Sequence, residues 1–363
     1  MLALALARPI RSPAPCTWRS HEEGRTQPTA VTILRTDTPQ LFEQAVESAV
    51  KMLLAGEVVV LPTETVYGLG ANALDEKAVA SIFEIKGRPA HNPIIVHVAS
   101  LEMARGCVAS WPDLAEKLAR AFWPGPLTLV LPRAERIPSI VTAGGATVGI
   151  RWPSHPLAQA IIRECGFPLA MPSANLSNQL SPTNADHAAK SLGNRVPVII
   201  DGGQCQVGIE STVLDLTVSP PRVLRPGIIH DEALTAVTGG LRRRDDEEGE
   251  PVKSPGMLPK HYAPRAKLMT LSWRDDNQLR EQIFRTRNSL AACHVLSHSL
   301  IPSAEGFGGV SVIPHDPEAF ARALYAELHR CDELGAEIIV VESLPETSEW
   351  TGVADRLKRA SAT

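Results

Sequence analysis

The stretch from Val58 to His97 decides the fold, and it reads VVVLPTETVYGLGANALDEKAVASIFEIKGRPAHNPIIVH. Its first four residues form an apolar, largely β-branched run that Pro62 closes, a pattern that predicts a short buried strand. Residues 76–86 then carry apolar side chains at helical spacing, and Gly87 marks the end of that helix. We therefore expect a strand, a polar turn at residues 63–65 and a helix in close succession.

Polar and cationic side chains crowd around the predicted end of this helix. Lys86, Arg88 and Asn92 lie at or just after it, and His97 ends the next predicted strand. Lysine and arginine neutralise phosphate groups well, because arginine gives a two-pronged contact and lysine a mobile point charge. The pattern predicts an anion site. For Lys86 taken alone, the alternative is an exposed helix-end lysine that interacts with the helix dipole.

Length, charge and cysteine usage limit the possible classes of protein. The 363 residues suffice for two domains, and a hydrophobic content of 44% can build a core in each. The formal net charge of −4 argues against a broadly cationic nucleic-acid-binding protein, so an anion site must be local. The six cysteines form no C-x-x-C pair, and no apolar stretch is long enough to cross a bilayer. We expect a cytoplasmic protein with no membrane partner.

Strand and helix patterns alternate through the first part of the chain, which predicts an α/β fold. Polar residues recur just after the predicted strands, where the crevice of an open α/β sheet binds ligands. They are Thr63, His97, Arg151, Ser173, Asp201 and Ser211. We expect them to gather at one face of the sheet. With Asn175, Ser173 offers an amide and a hydroxyl to phosphate oxygens.

Four segments are predicted along the chain. Residues 1–30 are expected to be a disordered tail or to follow a start codon placed too early, with an organelle transit peptide as a weaker alternative. Residues 31–230 form the predicted catalytic domain. Residues 231–265 include three consecutive arginines followed by four acids, which is typical of a solvated linker. An α/β pattern resumes over residues 266–363 as a small second domain.

Several common catalytic and nucleotide motifs do not occur. The chain has no Gly-Lys dipeptide and hence no Walker A loop, and it has neither a Gly-x-Ser-x-Gly elbow nor a His-Glu-x-x-His motif. Gly68-Leu69-Gly70 follows a predicted strand as in dinucleotide-binding folds, but Arg88 stands about where a ribose-binding acid would be expected. A nicotinamide enzyme is therefore disfavoured.

A series of specific motifs spans residues 35–265 in a fixed order. They are Thr63-Glu64-Thr65-Val66-Tyr67-Gly68-Leu69, Lys86-Gly87-Arg88-Pro89, Asn92-Pro93, Trp123-Pro124-Gly125-Pro126-Leu127-Thr128, Arg151-Trp152-Pro153, Pro172-Ser173-Ala174-Asn175, Asp201-Gly202-Gly203, Glu210-Ser211-Thr212, Leu224-Arg225-Pro226-Gly227, Ser254-Pro255-Gly256-Met257 and His261-Tyr262-Ala263-Pro264. In this order the chain resembles the Sua5/YrdC/YciO family, whose longer members are threonylcarbamoyl-adenylate synthases. The resemblance implies a YrdC-like twisted mixed sheet with flanking helices, plus a small C-terminal Rossmann-like α/β domain.

The resemblance also implies where the substrates bind. Lys86 and Arg88 are the expected catalytic residues. The expected ATP contacts are Lys86, Arg88, Asn92, Thr147, Ser173, Asn175, Ser181, Arg225 and Tyr262. The expected L-threonine contacts are Thr65, His97, Arg151, Met171 and Ser211. Arg151 suits the threonine carboxylate on chemical grounds, whereas His97 taken alone is more often a structural strand-end histidine.

The implied reaction joins L-threonine, bicarbonate and ATP into threonylcarbamoyl-AMP with release of pyrophosphate. This nucleotidyl transfer needs little acid–base machinery, because positioning and charge neutralisation supply most of the effect. Mg²⁺ is expected on the ATP phosphates, with no protein ligand named. The product serves the formation of N6-threonylcarbamoyladenosine (t6A) at position 37 of tRNA. Expected partners are t6A-transferase proteins that pass the intermediate to tRNA, with weak tRNA binding by the chain itself.

The resemblance further implies that residues 254–264 lie over the active site as a lid that shields the adenylate from water. Leu258-Pro259 departs from the basic and aromatic residues of many family members. Two other functions remain open. One is a regulator that binds tRNA or double-stranded RNA, which the acidic net charge disfavours. The other is a carbamoyl-handling enzyme, which the amino-acid contacts disfavour.

Overall fold

The computed structural model describes residues 31–242, 262–286 and 289–362. They form two α/β units, which we call the first unit and the second unit. The first unit is built on a ten-stranded mixed sheet and comprises residues 31–242. The second unit is built on a four-stranded sheet and comprises the residues from 262 onward. The predicted α/β class is confirmed for both units.

The sheet of the first unit mixes parallel and antiparallel pairs. Its strands are β1 (Thr32–Arg35), β2 (Val59–Leu61), β3 (Gly68–Asn72), β4 (Val96–His97), β5 (Leu127–Pro132), β6 (Thr147–Arg151), β7 (Leu169–Ala170), β8 (Val198–Asp201), β9 (Thr212–Asp215) and β10 (Arg222–Arg225). Their order is β1-β8-β2-β3-β7-β4-β6-β5-β9-β10. The parallel pairs are β1–β8, β2–β8, β4–β6 and β5–β9, and the other neighbours are antiparallel.

Helices cover this sheet and enclose its apolar side chains. They are α1 (Pro39–Leu54), α2 (Glu76–Lys86), α3 (Leu101–Gly106), α4 (Asp113–Phe122), α5 (Pro156–Cys165), α6 (Ala185–Leu192) and α7 (Asp231–Thr238). Helix α2 has the predicted bounds, because Asp75 caps its first turn with a side-chain oxygen 2.9 Å from the Lys77 nitrogen and Gly87 ends it in the left-handed conformation. Its buried face contributes Val79 and Ile82 to the largest apolar cluster.

The second unit has a wholly parallel sheet. Its elements are β11 (Lys267–Leu271), α8 (Asp276–Thr286), β12 (Cys293–Ser297), β13 (Gly309–Val312), α9 (Pro317–Glu333), β14 (Ile338–Glu342) and α10 (Thr351–Ala360). The strand order is β11-β14-β12-β13. The α/β pattern predicted over residues 266–363 is confirmed, since apolar runs and amphipathic helices alternate clearly there.

Short elements of the first unit were not predicted, and β3 is the most instructive. Glycine has a low strand propensity, and β3 contains Gly68 and Gly70. The strand nevertheless pairs with β2 and runs antiparallel to it. A Cβ atom on Gly68 would lie 2.4 Å from Cγ of Met171, so the glycine permits a close approach. The strands β1, β9 and β10 and the helix α3 were also missed. Each is too short to show a clear period.

Helix α7 lies inside the segment that the sequence predicts to be a solvated linker. It packs against α4, and its Leu234 is buried in the core of the first unit. The beginning of the predicted linker is therefore a folded part of that unit. Residues 243–261, which contain the charged run and most of the expected lid, lie outside the described residues.

The two units share one apolar cluster and touch at the backbone. Val66, Leu180 and Ile209 of the first unit pack with Phe320 and Leu324 of the second. Glycines permit two of the closest contacts. A Cβ atom on Gly208 would lie 2.5 Å from the Ala321 oxygen, and one on Gly352 would lie 2.5 Å from the Gly227 oxygen. The interface therefore has no room for a methyl group at these positions.

We predict that Gly352→Ala destabilises the protein by about 1–3 kcal/mol, because the added methyl group must push α10 away from Gly227. The midpoint of urea unfolding measures the effect. Gly240→Ala is the matched control, since a Cβ atom there has nothing within 4 Å. Equal midpoints for the two variants would contradict the tight contact.

Two stacked histidines also join the units. The rings of His187 in α6 and His329 in α9 lie 3.9 Å apart with an interplanar angle of 21°. Nε2 of His329 lies 3.1 Å from the Ser181 carbonyl oxygen. Burial, together with the charge of His329, lowers the pKa of His187 to about 3, and burial lowers the pKa of His329. Lys190 and Glu333, ion-paired at 2.7 Å, face the stack from either side.

We predict that the stack makes stability depend on pH below about 6.5, the usual pKa of an unfolded histidine. Both rings are neutral when packed, so the unfolded chain takes up protons first, and the free energy of unfolding falls as the pH drops from 6.5 toward 3. His329→Gln keeps a donor for the Ser181 carbonyl and should flatten part of this slope. Denaturant titrations of both proteins at pH 5 and pH 7.5 measure it. Identical slopes would contradict the prediction.

Candidate functional site

Three buried arginines from separate parts of the first unit meet in one pocket. Arg88 follows α2, Arg151 ends β6 and Arg225 ends β10. Their exposed fractions are 8%, 4% and 3%. The other lining residues are Thr63, Thr65, Val66, Gly68, Ile95, His97, Met171, Pro172, Ser173, Glu210, Ser211 and Tyr262. Guanidinium groups gathered this way favour an anionic ligand, because solvent screens their charge little.

Oxygens of Asn92 and Pro93 fix Arg88 at the pocket wall. Its Nε donates to the Asn92 carbonyl at 3.0 Å, and its Nη2 donates to Asn92 Oδ1 at 2.8 Å and to the Pro93 carbonyl at 2.6 Å. Burial lowers the pKa of Arg88 to about 10, and the charge of Arg225 acts in the same direction. The group is still protonated at neutral pH, so it brings a full positive charge to the pocket.

Arg225 connects two strands and an aromatic side chain. It donates from Nε to the Ser211 carbonyl and from Nη2 to Ser211 Oγ, both at 3.0 Å. Its Nη1 lies 3.5 Å from the Tyr262 hydroxyl. Ser211 Oγ in turn lies 2.8 Å from Thr128 Oγ1 on β5. The guanidinium and the Ser211 hydroxyl are thus held as one polar unit.

Arg151 is paired with an acid that the sequence had not marked as a site residue. Its Nη2 lies 2.8 Å from Glu64 Oε2, and both side chains are buried. Glu64 belongs to the polar turn after β2, which places a carboxylate beside the group expected to bind a carboxylate. The contact is ionic in character, since neither Glu64 oxygen makes an aligned hydrogen bond within the described part of the chain.

His97 faces the same pocket as a neutral ring. Burial lowers its pKa well below the usual range, and the nearby charge of Arg151 lowers it further. Its Nδ1 is buried and makes no hydrogen bond to any described residue. A buried polar atom without a partner is costly, so this nitrogen is available to a ligand.

Lys86 occupies a different place from the one expected of a phosphate contact. Its side chain is 1% exposed, and its ammonium group donates to the backbone carbonyls of Ser173 and Asn175. Burial lowers its pKa well below the usual value, with the charge of Arg88 as a second cause. Lys86 therefore supports the wall that carries Ser173 and does not itself line the pocket.

Four further residues expected to bind ATP also lie outside the pocket lining. Asn92 orients Arg88, as described above. Asn175 donates from Nδ2 to the carbonyls of Leu176 and Gln179 at 2.8 and 2.9 Å. Ser181 Oγ donates to Glu210 Oε1 at 2.5 Å. Thr147 lines a smaller adjoining cavity that shares Ile95 with the pocket.

The remaining expected residues do line the pocket. They are Thr65, Arg88, His97, Arg151, Met171, Ser173, Ser211, Arg225 and Tyr262. Sequence reasoning missed Glu64 and Glu210, although both lie within the quoted motifs. For Glu64, an acid next to polar residues shortly after an apolar strand was the available signal, whereas Glu210 lies just before β9. Neither acid could be assigned a partner, because both partners are distant in sequence.

No group of three or more His, Cys, Asp or Glu side chains that could hold a metal ion occurs within residues 31–242, 262–286 and 289–362. Over the same residues, none of the helices is both long enough and apolar enough to cross a membrane. His261 and residues 254–260 of the expected lid lie outside the described part. Tyr262 is described and is 1% exposed at the pocket.

Two family models match nearly the whole described chain. A model of the Sua5, YciO and YrdC family, described as Telomere recombination, matches residues 51–227. A second model, described as the C-terminal domain of threonylcarbamoyl-AMP synthase, matches residues 229–362. The boundary between the two models lies just after Gly227, where the first unit contacts α10.

Curated relatives and a solved structure match over both units. The threonylcarbamoyl-AMP synthase of Pyrococcus abyssi is 40% identical over 91% of this chain and 98% of the relative. That of Bacillus subtilis is 39% identical over 90% of this chain and 94% of the relative. The crystal structure of P. abyssi Sua5 complexed with L-threonine is 38% identical, has a TM-score of 0.82, and covers 92% of this chain and 98% of its own.

We predict that Lys86→Met lowers the free energy of unfolding by about 1–3 kcal/mol. Two buried carbonyls lose their donor, and this loss exceeds the gain from removing a buried charge. Urea unfolding measures the change, with Lys77→Met on the exposed face of α2 as the control. An unchanged midpoint combined with weaker ATP binding would instead place the ammonium group in the ligand site.

Proposed function

Because the chain belongs to the Sua5/YrdC/YciO family of threonylcarbamoyl-AMP synthases, we propose that it joins L-threonine, bicarbonate and ATP into threonylcarbamoyl-AMP and releases pyrophosphate. It is a nucleotidyltransferase with ATP and L-threonine as substrates. The observation that carries the proposal is the convergence of Arg88, Arg151 and Arg225 on one pocket at the strand ends. Such a pocket can neutralise a carboxylate and a triphosphate side by side.

The Arg151 side of the pocket suits the amino acid. Arg151 binds the threonine carboxylate, and its partner Glu64 offers an acceptor for the amino group, so the pair complements a zwitterion. His97 is neutral and lines the same space. Thr65, Met171 and Ser211 complete this part of the lining, as the family resemblance led us to expect.

The side of the pocket formed by Arg88 and Arg225 suits the phosphates. Arg88, Arg225 and Ser173 contact them directly in this proposal, and Tyr262 acts beside Arg225. The side chains of Lys86, Asn92, Asn175 and Ser181 act indirectly, because they hold the Ser173 wall, Arg88 and Glu210. A contact from Thr147 requires part of ATP to enter the adjoining cavity.

The chemistry has two steps. The threonine amine, after it loses a proton to solvent, forms a bond to the carbon of bicarbonate and gives a carbamate, with water released. If CO₂ is the acceptor, the nitrogen gives up a second proton to solvent and no water forms. A carbamate oxygen then attacks the α-phosphorus of ATP, and the bond to pyrophosphate breaks. Orientation and charge neutralisation by arginines lower the barrier without a dedicated acid–base pair. Glu210 in the pocket lining and Glu64 next to it are already paired with arginines.

The proposal also covers the metal ion, the partner proteins and the cellular compartment of the reaction. Mg²⁺ arrives on the ATP phosphates, since the pocket carboxylates serve arginines and offer it no set of ligands. The product passes to t6A-transferase proteins that act on tRNA, and the chain itself binds tRNA only weakly. Cytoplasmic localisation is supported by five described cysteines that are free thiols, as in a reducing compartment.

We predict that purified protein releases pyrophosphate from ATP only when both L-threonine and bicarbonate are present. Arg88→Ala should reduce kcat/KM by roughly a hundredfold or more, because removing one preorganised charge from such a site costs a few kcal/mol. Arg120→Ala, at an exposed surface ion pair, is the control. Circular dichroism confirms that each variant is folded.

Two outcomes would contradict the proposal. Release of pyrophosphate without threonine would show a different acceptor. ATP binding with no pyrophosphate under any combination would favour the RNA-binding regulator, which a salt-dependent tRNA gel shift then tests.

A further inference from the structure

Arg356 of the second unit is inserted into the wall of the pocket. It lies in α10 and has no exposed surface. Its Nε donates to Glu210 Oε2 at 2.6 Å, its Nη2 to the Glu210 carbonyl at 3.1 Å and its Nη1 to the Pro226 carbonyl at 2.9 Å. Its guanidinium carbon lies 5.4 Å from the centre of the Tyr262 ring. One side chain thus contacts three segments that line or adjoin the pocket.

The two carbonyls that Arg356 binds belong to the neighbours of pocket residues. Glu210 directly precedes Ser211, and Pro226 directly follows Arg225. Strands β9 and β10 are antiparallel, so the start of one lies beside the end of the other. Arg356 bridges this open end, where the ladder between the strands stops. It therefore fixes the spacing between the Ser211 hydroxyl and the Arg225 guanidinium.

Tyr325 in α9 provides a second contact from the same unit. Its hydroxyl donates to Glu210 Oε2 at 3.2 Å, while Ser181 of the first unit occupies the other carboxylate oxygen. Burial alone would raise the pKa of Glu210, but the charges of Arg356 and Arg225 outweigh it and lower the pKa. Glu210 is accordingly ionised and fully hydrogen-bonded. It acts as a fixed counter-charge between two arginines rather than as a proton acceptor.

The backbone contacts around this group leave it little freedom. Gly352, one turn before Arg356, touches Gly227, which follows Pro226. On the other side, Gly208 touches the backbone of α9 at Ala321 and Arg322. Arg322 also donates from Nε to the Gln206 carbonyl at 2.7 Å. The second unit is therefore held close to residues 206–210 and 226–227, on either side of the pocket residues Ser211 and Arg225.

From these contacts we propose that Arg356 and Tyr325 are positioning residues of the active site. They hold Glu210, Ser211 and Arg225 in the arrangement that binds the ATP phosphates, so these two residues of the second unit complete the pocket without touching the substrate. The inference rests on the proposed function. A merely structural ion pair between the units would affect stability but would leave the affinity of the folded protein for ATP unchanged.

The test uses the full chain with Arg356→Lys and Tyr325→Phe. Lysine keeps the positive charge but cannot reach three acceptors at once. Titration calorimetry with MgATP, without threonine, should show Kd raised roughly tenfold to a hundredfold for Arg356→Lys, as expected for lost charge-assisted hydrogen bonds. Tyr325→Phe should raise Kd several-fold, which corresponds to the loss of about one hydrogen bond. In turnover, KM for ATP should rise more than kcat falls. Lys358→Gln, an exposed cation on the same helix, is the control and should match the wild type.

Each outcome decides the matter. Folded variants that bind ATP with wild-type Kd and turn over with wild-type KM would overturn the inference, whatever their melting temperatures. If Arg356→Lys fails to fold by circular dichroism, the Kd of Tyr325→Phe decides, and a wild-type value overturns it. Failure of the proposed function is distinguishable, since it appears as an inactive wild type. Binding of ATP and its dependence on Arg356 would still be measured in that case.

Discussion

The structure depends on buried positive charge that oxygen atoms of the protein must balance. Arg88, Arg151, Arg225 and Arg356 are each at least nine-tenths buried, and so is Lys86. An isolated buried cation is strongly unfavourable, so each one is matched by carbonyl oxygens or a carboxylate. Glu64 and Glu210 supply the two acids at the pocket, and backbone carbonyls supply most of the rest. Turns and strand ends are the natural location for such a site, because their carbonyls are not used by the sheet.

This balance separates the cations by role. The ammonium group of Lys86 donates hydrogen bonds to the Ser173 and Asn175 carbonyls, and Arg88 donates to oxygens of Asn92 and Pro93. A lysine whose ammonium group is enclosed by protein oxygens has a structural role. A planar guanidinium, in contrast, can hydrogen-bond to the protein along one edge and to a ligand along another. This difference between lysine and arginine explains why Lys86 lies behind the pocket wall while Arg88, two residues later in the same motif, lines the pocket.

Much of the fold follows from local sequence, whereas most of the site residues were expected from the family resemblance. The bounds of α2 were predicted to the residue, since capping groups and apolar periodicity mark them. Nine of the expected site residues line the pocket. Three features of the site could not be predicted. They are the orientation of the Lys86 side chain, the pairing of Glu64 with Arg151, and the insertion of Arg356 beside Glu210. Each depends on partners 85 or more positions away, which no local pattern encodes. The strand β3 was missed because glycine has a low strand propensity, and Gly68 is present there to allow the close approach of Met171.

The glycine contacts between the units have a consequence for how such a chain can change over generations. At Gly208 and Gly352 the opposing surface is backbone, which no compensating substitution can shrink. Sequence drift in one unit cannot therefore be absorbed by side-chain changes in the other at these points. A first unit joined to the second unit of a distant relative would therefore meet its first misfit at these two glycines, beside residues that adjoin the substrate pocket.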